Sequence, residues 1–514
     1  MRVTQSLLRN RQQRPHAIAT ECGDRIRTWG EFADRVTRLA GALRALGLGD
    51  EGRVAILALN SDRYLELLYA TPWAGGMVVP LNTRWSEAEI AYALADAGVG
   101  ILAVDSHFMS MGEALQRDSK QPLTLLAMDD GPDSLDSLVA RHAPIEERGR
   151  SGDDISGIFY TGGTTGRSKG VMLTHTNHVT NSLQLVAMMQ LPEGISYLHA
   201  APMFHIADAL CIYMVTMQGG RHVILPRFEP AAVADTIAHR GVSDILLVPT
   251  MIQMLLDHLQ AHPQALPSLQ RLYYGASPIP EATLFRLFET LPECVPTQLY
   301  GQTEAAPMIT VLEGRYHVKS GPNAGRLRAA GRAIACVELK IVDEQDQEVP
   351  RGTVGEVVAR GPNVMKGYWG MPEQTAQTLR DGWLHTGDAA WMDEEGFIFI
   401  SDRLKDMIIS GGENVYSTEV ENALFQHPAV AQCAVIGIPD AKWGERVHAV
   451  VVPKPGAERD AAAIIAHCRA LIADYKCPRS VEFREDPLPL SGAGKILKTE
   501  LRQPYWADRV RSVN

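Results

Sequence analysis

Short apolar runs alternate with stretches of helical spacing along most of the chain. Val54–Leu59 is apolar, Arg63–Ala70 repeats its apolar positions with helical spacing, and Met77–Leu81 is apolar again. Further on, the apolar run Ile245–Val248 precedes a helical pattern over Met251–Leu259. Strands and helices in alternation predict α/β layers built around a largely parallel sheet.

The C-terminal part of the chain follows a different pattern. Val447–Pro453 predicts a strand, Pro453–Arg459 is a turn-rich connector, and Ala461–Tyr475 predicts an amphipathic helix. Asp460 stands at the N-cap position of that helix, and Pro478 lies beyond its end. These elements predict a small α+β domain.

The boundary between the two parts is expected in a polar cluster, Ser401–Asp406. The cluster separates the apolar stretches Gly396–Ile400 and Met407–Ile409. We therefore expect a large N-terminal domain of layered α/β subdomains over residues 1–402 and a small C-terminal domain over residues 403–514.

Length and composition agree with this division. A chain of 514 residues is too long for one typical core. Its hydrophobic content of 46% and charged content of 21% are ordinary for a globular protein. The formal net charge of −11 argues against nucleic acid as a main partner, because a phosphate-tracking surface needs excess Lys and Arg.

Cysteine usage and apolar runs indicate a reducing compartment. The seven cysteines are odd in number and widely spaced, so a small buried apolar role is expected for each: Cys22, Cys211, Cys294, Cys336, Cys433, Cys468 and Cys477. The N-terminal MRVTQSLLRNRQQRPH lacks the apolar core of a secretory signal, and the C-terminal RSVN matches no lipidation or peroxisomal address. No apolar run reaches the roughly 18 residues that span a bilayer. A cytoplasmic location is expected, and the oligomeric state stays open, a homodimer included.

A glycine- and threonine-rich segment follows the apolar run Ile155–Tyr160. The segment reads TGGTTGRSKG and supplies Thr161, Gly162, Gly163, Thr164, Thr165, Gly166 and Lys169. Glycines let backbone N–H groups converge on phosphate oxygens, hydroxyls add donors, and the lysine adds positive charge. In a Walker A loop, by contrast, Gly-Lys-Ser/Thr opens a helix. The segment predicts a polyphosphate site, with a flexible surface loop as the alternative.

This loop resembles the phosphate loop of the adenylate-forming (AMP-binding) superfamily, in its acyl-CoA synthetase and aryl-CoA ligase branch. Gly162 and Ser168 stand where the family commonly has Ser and Pro. Other motifs, in family order, extend the resemblance over nearly the whole chain. It implies ATP, Mg²⁺ and coenzyme A as cofactors, a small carboxylic acid as substrate, and a mobile C-terminal domain.

The motif YGQTE, Tyr300–Glu304, follows a strand-like stretch. The resemblance implies that Tyr300 stacks on adenine and that Thr303 reaches the α-phosphate. It also implies that Glu304 holds Mg²⁺, since carboxylate oxygens suit this ion. Gly301 and Gln302 come with them into the nucleotide site. Taken alone, the motif is also compatible with a turn that carries a surface glutamate.

The segment YGASP resembles the family's adenine and acyl-pocket wall. Gly275 and Ala276 are small enough for a flat group to approach the backbone, and Ser277 follows them. An ordinary glycine-containing turn is the alternative for Ser277. The segment is therefore expected to border both the nucleotide and the acid.

Two further motifs match residues of the ribose region. Asp388, in TGD, matches the residue that accepts hydrogen bonds from both ribose hydroxyls. Arg403, in SDRLKD, matches a residue that contacts ribose and phosphate.

The C-terminal motifs resemble the mobile parts of the family. Lys405 matches the hinge about which the small domain turns, and Gly411 and Gly412 match a loop that moves toward the site in the second half-reaction. Lys495 matches the lysine that bridges acid and ATP during adenylation. Lys498 is close enough in sequence to be confused with it, and the family pattern favours Lys495.

The motif PMFHIAD, Pro202–Asp208, matches the opening of the acyl pocket. His205 is expected to border the acid, with acid/base catalysis or pocket shape as its two possible roles. The expected pocket segments contain several methionines, which adapt to many shapes, and are Met203–Met217, Val248–Met254, Tyr274–Pro278 and Gln302–Met308. They favour an apolar acid, fatty or aromatic.

The mechanism implied by the resemblance has two steps. The acid attacks the α-phosphorus of ATP to give an acyl-AMP and pyrophosphate, with catalytic contributions from Lys495, Glu304, Thr303 and His205. The thiol of coenzyme A then displaces AMP.

Other functions share some of these motifs. An amino-acid adenylation domain usually has Asp near the position of His205, so Phe204–His205 counts against it. A luciferase-like oxygenase shares the motifs but commonly ends in a peroxisomal address. A catalytically inactive nucleotide-binding homologue would be signalled by loss of Lys169, Glu304 or Lys495, and all three are present.

Overall fold

Helices and strands alternate through the computed structural model, which describes residues 1–129, 131–161, 168–404, 406–411, 413–440, 442–492 and 494–507. The helices are α1 Gln5–Gln13, α2 Trp29–Ala45, α3 Asp62–Trp73, α4 Glu87–Ala97, α5 Met109–Asp118, α6 Leu135–Arg141, α7 His175–Met188, α8 Ile206–Met217, α9 Pro230–Arg240, α10 Pro249–Ala261, α11 Glu281–Thr290, α12 Pro372–Thr378, α13 Ser417–Phe425, α14 Ala461–Leu471 and α15 Lys498–Trp506. Short 3-10 helices cover Ser106–Phe108, Thr303–Ala305, Gly314–Tyr316 and Asp474–Lys476.

The strands pair into four sheets. They are β1 Ile18–Cys22, β2 Arg25–Thr28, β3 Arg53–Leu57, β4 Met77–Pro80, β5 Ile101–Val104, β6 Thr124–Ala127, β7 Ile155–Thr161, β8 Lys169–Thr174, β9 Ser196–His199, β10 Arg221–Ile224, β11 Asp244–Leu247, β12 Arg271–Gly275, β13 Val295–Gly301, β14 Met308–Leu312, β15 Arg332–Ala333, β16 Glu338–Val342, β17 Gly355–Arg360, β18 Gly367–Tyr368, β19 Leu379–Arg380, β20 Trp383–Met392, β21 Ile398–Arg403, β22 Ile408–Ser410, β23 Glu413–Val415, β24 Val430–Asp440, β25 Gly444–Pro453 and β26 Ser480–Phe483.

Two large sheets are mostly parallel, as predicted. The first has nine strands in the order β15-β14-β13-β12-β11-β9-β10-β1-β2, and the pairing turns antiparallel at β14 and β2. The second has seven strands in the order β18-β8-β7-β4-β3-β5-β6. Here β4, β3, β5 and β6 run parallel, and β7 and β8 form an antiparallel hairpin. The predicted α/β layers are therefore confirmed.

Helix α3 lies between these two sheets and is buried along its whole length. Its charged residues are neutralised in place: Arg25 lies 2.7 Å from Asp62 and Arg35 lies 2.6 Å from Glu66. Ser61 caps the helix by accepting a hydrogen bond from the N–H of Tyr64. The two carboxylates of α3 can be buried because each one has a guanidinium partner.

A third sheet, of five strands, was not predicted from the sequence. It is antiparallel, with β16-β17-β20-β19 in order and β21 paired to β20. Strand β21 runs through Arg403, so it extends into the polar cluster that we expected to mark the boundary. Backbone pairing outweighs local polarity there, because only one face of this sheet packs on a core.

The fourth sheet belongs to the C-terminal part of the chain, with β23-β22-β25-β24 in order and β26 paired to β25. The predicted strand and helix are present as β25 and α14, and Asp460 caps α14 by accepting from the N–H of Ala463 at 3.0 Å. Helix α14 ends at Leu471, before the predicted end, and a 3-10 turn follows. The expected small α+β unit is confirmed.

The burial predicted for the cysteines is found at all positions but one. All seven cysteines are free, and six are buried as predicted, but Cys336 is exposed, so that prediction was wrong for it. Within the described ranges, none of the helices has the length and apolarity that crossing a membrane requires.

Candidate active site

Most of the predicted site residues lie at one edge of the two large sheets. Strands β9, β11, β12 and β13 are parallel neighbours, so the loops after them emerge together, and the loops after β4 and β7 emerge from the second sheet. Clefts at the carboxyl ends of parallel strands are the usual ligand sites of such sheets.

The phosphate loop connects β7 to β8. Thr161 pairs with Lys169 across this hairpin, which fixes the two ends of the loop. The predicted residues between them, Gly162, Gly163, Thr164, Thr165 and Gly166, lie outside the described residues.

Lys169 and Glu304 are joined through a residue that the sequence analysis did not single out. The ammonium of Lys169 lies 4.3 Å from the ring centroid of Tyr368. The hydroxyl of Tyr368 donates to Oε1 of Glu304 at 2.8 Å. A candidate phosphate-binding cation and a candidate metal-binding carboxylate therefore share one aromatic neighbour.

The turn Tyr300–Glu304 is tightly constrained. A Cβ on Gly301 would lie 1.8 Å from the carbonyl oxygen of Pro307, so only glycine fits there. The N–H of Gln302 donates to that same oxygen at 2.9 Å, and Thr303 and Glu304 then begin a 3-10 turn. Glu304 is 8% exposed. The turn thus presents a hydroxyl and a buried carboxylate at fixed positions.

The neighbouring turn after β12 is constrained in the same way. A Cβ on Gly275 would lie 2.1 Å from the carbonyl oxygen of Leu299 on β13. Ala276 has a φ of 68°, in the left-handed region that residues other than glycine seldom occupy. Ser277 follows and is half-buried. Backbone strain of this kind concentrates at functional sites, and here it adjoins the Tyr300–Glu304 turn.

Tyr300, Asp388 and Arg403 meet at one point. The Tyr300 hydroxyl donates to Oδ2 of Asp388 at 2.8 Å, and Nε of Arg403 lies 2.9 Å from Oδ1 of the same carboxylate. Asp388 raises the pKa of Arg403, and burial raises that of the Tyr300 hydroxyl. Glu304 adds to the shift on Arg403, which places this cluster close to the Glu304 turn.

The loop that carries Lys495 packs against the large domain. The Arg84 guanidinium donates to the carbonyl oxygen of Ser491 at 3.0 Å. A Cβ on Gly492 would lie 2.5 Å from Asn82, and one on Gly494 would lie 2.9 Å from Val248. The two glycines therefore permit close approach to the loops after β4 and β11. Lys498, the alternative to Lys495, is instead paired with Glu421 of the small domain at 2.7 Å.

His205 lies at the N-terminus of α8, near Lys495. Burial, with a contribution from the Lys495 charge, lowers the pKa of His205 to about 3. The imidazole is therefore neutral near pH 7, which favours the pocket-shaping role over general acid catalysis. Its Nδ1 accepts the N–H of Ala207 at 3.4 Å and so caps α8.

The methionines of the predicted pocket segments are buried, with one exception. Met203, Met214 and Met308 are buried at the first sheet's edge, and Met251 is nearly so. Met254 is 50% exposed, which contradicts its predicted place in the pocket wall. It lies on the solvent side of α10, because it stands two residues, about 200° around the helix, from the buried positions Ile252 and Leu256.

Some predicted residues lie elsewhere or are not described. The N–H of Gly411 donates to the carbonyl oxygen of Trp443 at 2.8 Å, so Gly411 belongs to the small sheet in this structure. Gly412 and Lys405 lie outside the described residues. Sequence reasoning missed three residues of this region. The only indication for Tyr368 was a Gly-Tyr dipeptide after a lysine, and nothing in the sequence indicated Asn82 or Arg84.

The chemistry of Glu304 suits the Mg²⁺ that the motif implies. Its carboxylate is buried, and the side-chain partner described for it is a neutral hydroxyl. A buried carboxylate with one neutral hydrogen bond is under-compensated, and a divalent ion held by Glu304 would supply positive charge at this place.

Sequence comparison shows which family this site belongs to. The family model for AMP-binding enzymes matches residues 7–369, and the model for their C-terminal domain matches residues 419–495. The chain therefore belongs to the AMP-binding enzyme family, and the expected adenylate-forming resemblance and AMP-forming ligase class are confirmed.

Individual relatives agree along nearly their full lengths. The chain is 41% identical to a feruloyl-CoA synthase from Amycolatopsis sp. over 97% of this chain and 98% of the relative. It is 37% identical to the medium/long-chain-fatty-acid–CoA ligase FadD8 of Mycobacterium tuberculosis, over 96% and 88%. The ATP-bound crystal structure of MatB from Rhodopseudomonas palustris matches with a TM-score of 0.89 at 33% identity, over 98% and 99%.

Proposed function

We propose that this protein is an ATP-dependent acid–CoA ligase that forms an acyl-AMP and then an acyl-CoA thioester. The observation that carries the proposal is the convergence of Lys169, Glu304, Asp388, Arg403 and Lys495 around the strand ends. The two curated relatives are an aryl- and a fatty-acid–CoA ligase by name. Family, relatives and residue chemistry support the same reaction class.

Adenylation brings two anions together. A carboxylate oxygen of the acid attacks the α-phosphorus of ATP, a P–O bond forms, and the bond to pyrophosphate breaks. Lys169 and Lys495 offset the repulsion with positive charge, and Thr303 offers a hydroxyl to the α-phosphate. These contributions are positioning and electrostatic stabilisation.

A second group of residues, around Asp388 and Arg403, holds the nucleotide. Asp388 accepts hydrogen bonds from the ribose hydroxyls, and Arg403 holds that carboxylate in its orientation. Glu304 would hold Mg²⁺, which when bound neutralises phosphate charge and favours departure of pyrophosphate. The ring of Tyr300 offers its face to adenine.

Thioester formation needs a different arrangement of the C-terminal domain. The coenzyme A thiol, losing its proton, attacks the acyl carbon, and AMP leaves with the C–O bond electrons. In this structure the Lys495 loop lies on the large domain and Gly411 bonds to Trp443 of the small domain, which fits the first half-reaction. We infer that residues 403–514 turn about Lys405 before the second.

The acid is apolar, either fatty or aromatic. Buried methionines and a neutral His205 surround its expected position, and they offer apolar contact without a fixed charge. The Asp expected of an amino-acid adenylation domain is not supplied by Asp208. Its carboxylate is 1% exposed and accepts from His199 Nδ1 at 2.7 Å and from the Tyr197 hydroxyl at 3.2 Å.

A cytoplasmic location remains a prediction from the sequence.

The test is pyrophosphate release from ATP and Mg²⁺ across fatty acids of increasing chain length, benzoates and cinnamates, each with and without coenzyme A. A burst that becomes sustained turnover only with coenzyme A supports the ligase and identifies the acid. Sustained release without a thiol would show a different acceptor, and no release with any acid despite ATP binding would contradict the proposal.

A further inference from the structure

Tyr368 contacts two charged residues that come from different parts of the fold. Its ring faces the Lys169 ammonium at 4.3 Å, and its hydroxyl donates to Glu304 Oε1 at 2.8 Å. Lys169 begins β8, whereas Glu304 lies in the 3-10 turn after β13 of the other sheet. Tyr368 is 4% exposed and Glu304 is 8% exposed, so the hydrogen bond between them is shielded from water, whereas Lys169 is half-buried.

The backbone around Tyr368 is tied to both partners as well. Strand β18 pairs with β8, with Tyr368 opposite Val171. The N–H of Met365 donates to the carbonyl oxygen of Glu304 at 2.8 Å. On the far side, the N–H of Tyr368 donates to the hydroxyl of Thr375 at 2.9 Å. The ring is thus held between the two sheets with little freedom to turn.

A phenol is suited to this position in a way that other side chains are not. The negative face of the ring attracts an ammonium, and the hydroxyl donates to a carboxylate in the ring plane. This hydrogen bond uses one lone pair of Oε1, and within the described part of the chain no hydrogen bond to Oε2 of Glu304 is present. Phenylalanine would keep the first contact only, and leucine would keep neither.

We propose that Tyr368 is a positioning residue that sets the Glu304 carboxylate and the Lys169 ammonium at the spacing needed to bind a metal–triphosphate as one unit. The inference rests on the proposed function, because it takes ATP as the ligand and Glu304 as the metal-binding carboxylate. Glu304 then meets the metal already oriented, and Lys169 meets the phosphates without first being recruited from solvent.

The experiment measures ATP binding by calorimetry, with Mg²⁺ and with EDTA, for the wild-type protein, Tyr368→Phe and Tyr368→Leu. We expect Tyr368→Phe to weaken MgATP binding by about tenfold, as for loss of a hydrogen bond to a charged group, and to leave metal-free ATP binding within about twofold. Tyr368→Leu should weaken both, because Lys169 also loses the ring. Binding of Mn²⁺ with ATP, followed by electron paramagnetic resonance, should weaken in step with MgATP.

The matched control is Tyr69→Phe, which removes a buried tyrosine hydroxyl whose partner, Thr216, lies at the C-terminal end of α8. It should leave ATP binding unchanged in both conditions. The proposal is overturned if Tyr368→Phe binds MgATP like the wild type, or loses equal affinity with and without metal while unfolding at a lower temperature. If the wild-type protein binds no ATP, the proposed function itself fails. If it binds MgATP but activates no acid, the proposed ligase reaction is wrong and the role of Tyr368 in MgATP binding is not affected.

Discussion

The Nε atom of Arg403 lies 2.9 Å from Oδ1 of Asp388, and the two residues face each other across the paired strands β20 and β21. Asp388 is buried and also accepts the Tyr300 hydroxyl. Both carboxylate oxygens are therefore oriented before a nucleotide arrives, which lowers the ordering cost of binding.

Asp388→Asn should weaken ATP binding without unfolding the protein. The amide is a weaker acceptor for a ribose diol and leaves Arg403 without its ion pair. Loss of hydrogen bonds to a charged group is worth about 1.5–3 kcal/mol, so the Kd for ATP should rise by about ten- to a hundredfold. Calorimetric titration measures it.

The control for this substitution is Glu338→Gln, in the same sheet. Glu338 and Arg360 are also a cross-strand ion pair, 2.6 Å apart, but both are exposed. Exposed pairs contribute little, so ATP affinity should stay at the wild-type value. An equal loss in both variants would mean that the sheet, and not the Asp388 carboxylate, determines binding.

Lys495→Ala and Lys498→Met should separate catalysis from stability. Lys495 lies in the loop on the large domain, so its loss should lower acid-dependent ATP–pyrophosphate exchange by at least about a hundredfold and leave thermal unfolding unchanged. Lys498 is paired with Glu421 inside the small domain. Removing it leaves a buried carboxylate without its cation and should cost about 3–5 kcal/mol of stability.

Urea unfolding and the exchange assay distinguish the two lysines. The double variant Lys498→Met/Glu421→Met should recover part of the lost stability, since two apolar side chains then replace the Lys498–Glu421 pair. Wild-type exchange in Lys495→Ala, or wild-type stability in Lys498→Met, would reverse these assignments.

His178→Phe should stabilise the protein, and more so at low pH. Within the described residues neither ring nitrogen of His178 has a hydrogen-bond partner, and the ring packs against Phe159 and Tyr213. Burial lowers its pKa to about 3. In the unfolded chain His178 is protonated below about pH 6.5, whereas in the folded chain it stays neutral down to about pH 3. The contribution of His178 to stability therefore falls as the pH drops from about 6.5 toward 3.

The measurement is the free energy of unfolding in urea at several pH values. The gap between His178→Phe and the wild type should be about 1–3 kcal/mol at pH 7 and should widen by up to about 1.4 kcal/mol per pH unit below pH 6. A gap that stays constant with pH would show that His178 is protonated or hydrated in the folded protein.

Gly301→Ala should disrupt the turn that carries Thr303 and Glu304. The added Cβ would lie 1.8 Å from the backbone oxygen of Pro307, which has no room to yield. We expect ATP binding to be lost and stability to fall by more than about 2 kcal/mol. Gly100→Ala, where an added Cβ meets nothing within 4 Å, should behave like the wild type in both assays. A binding-competent Gly301→Ala would show that the turn adapts.

Local patterns predicted much of the fold and of the site. Alternating apolar and helical stretches identified β3, α3 and β4. The reason is that burial determines how apolar residues are spaced along a strand or a helix, and this spacing is visible in the sequence. The motifs YGASP and YGQTE were singled out as parts of one site, and the close approaches at Gly275 and Gly301 explain why glycine stands at both positions.

Long-range contacts were the part that sequence could not supply. Tyr368 is separated from Lys169 and Glu304 by long stretches of chain, and nothing in its immediate neighbourhood indicates which charges it meets. The antiparallel sheet around β20 was missed for the same reason, since its strands are defined by pairing more than by apolar runs. Met254 and Cys336 were placed inside by residue type, although helix phase and loop position leave them exposed.

The strand that presents Arg403 to the nucleotide region is also the strand from which the chain leaves for the small domain. Ser401 and Asp402, just before Arg403, already accept hydrogen bonds from Thr418 and Ser417 of helix α13. Under the proposed function, occupancy of the ribose region and orientation of the small domain would therefore be thermodynamically linked. Whichever orientation leaves the Asp388–Arg403 pair better formed would hold nucleotide more tightly, and bound nucleotide would favour that orientation by the same factor. Release of the spent nucleotide and return of the small domain would then be one reciprocal equilibrium, set at a single β-hairpin.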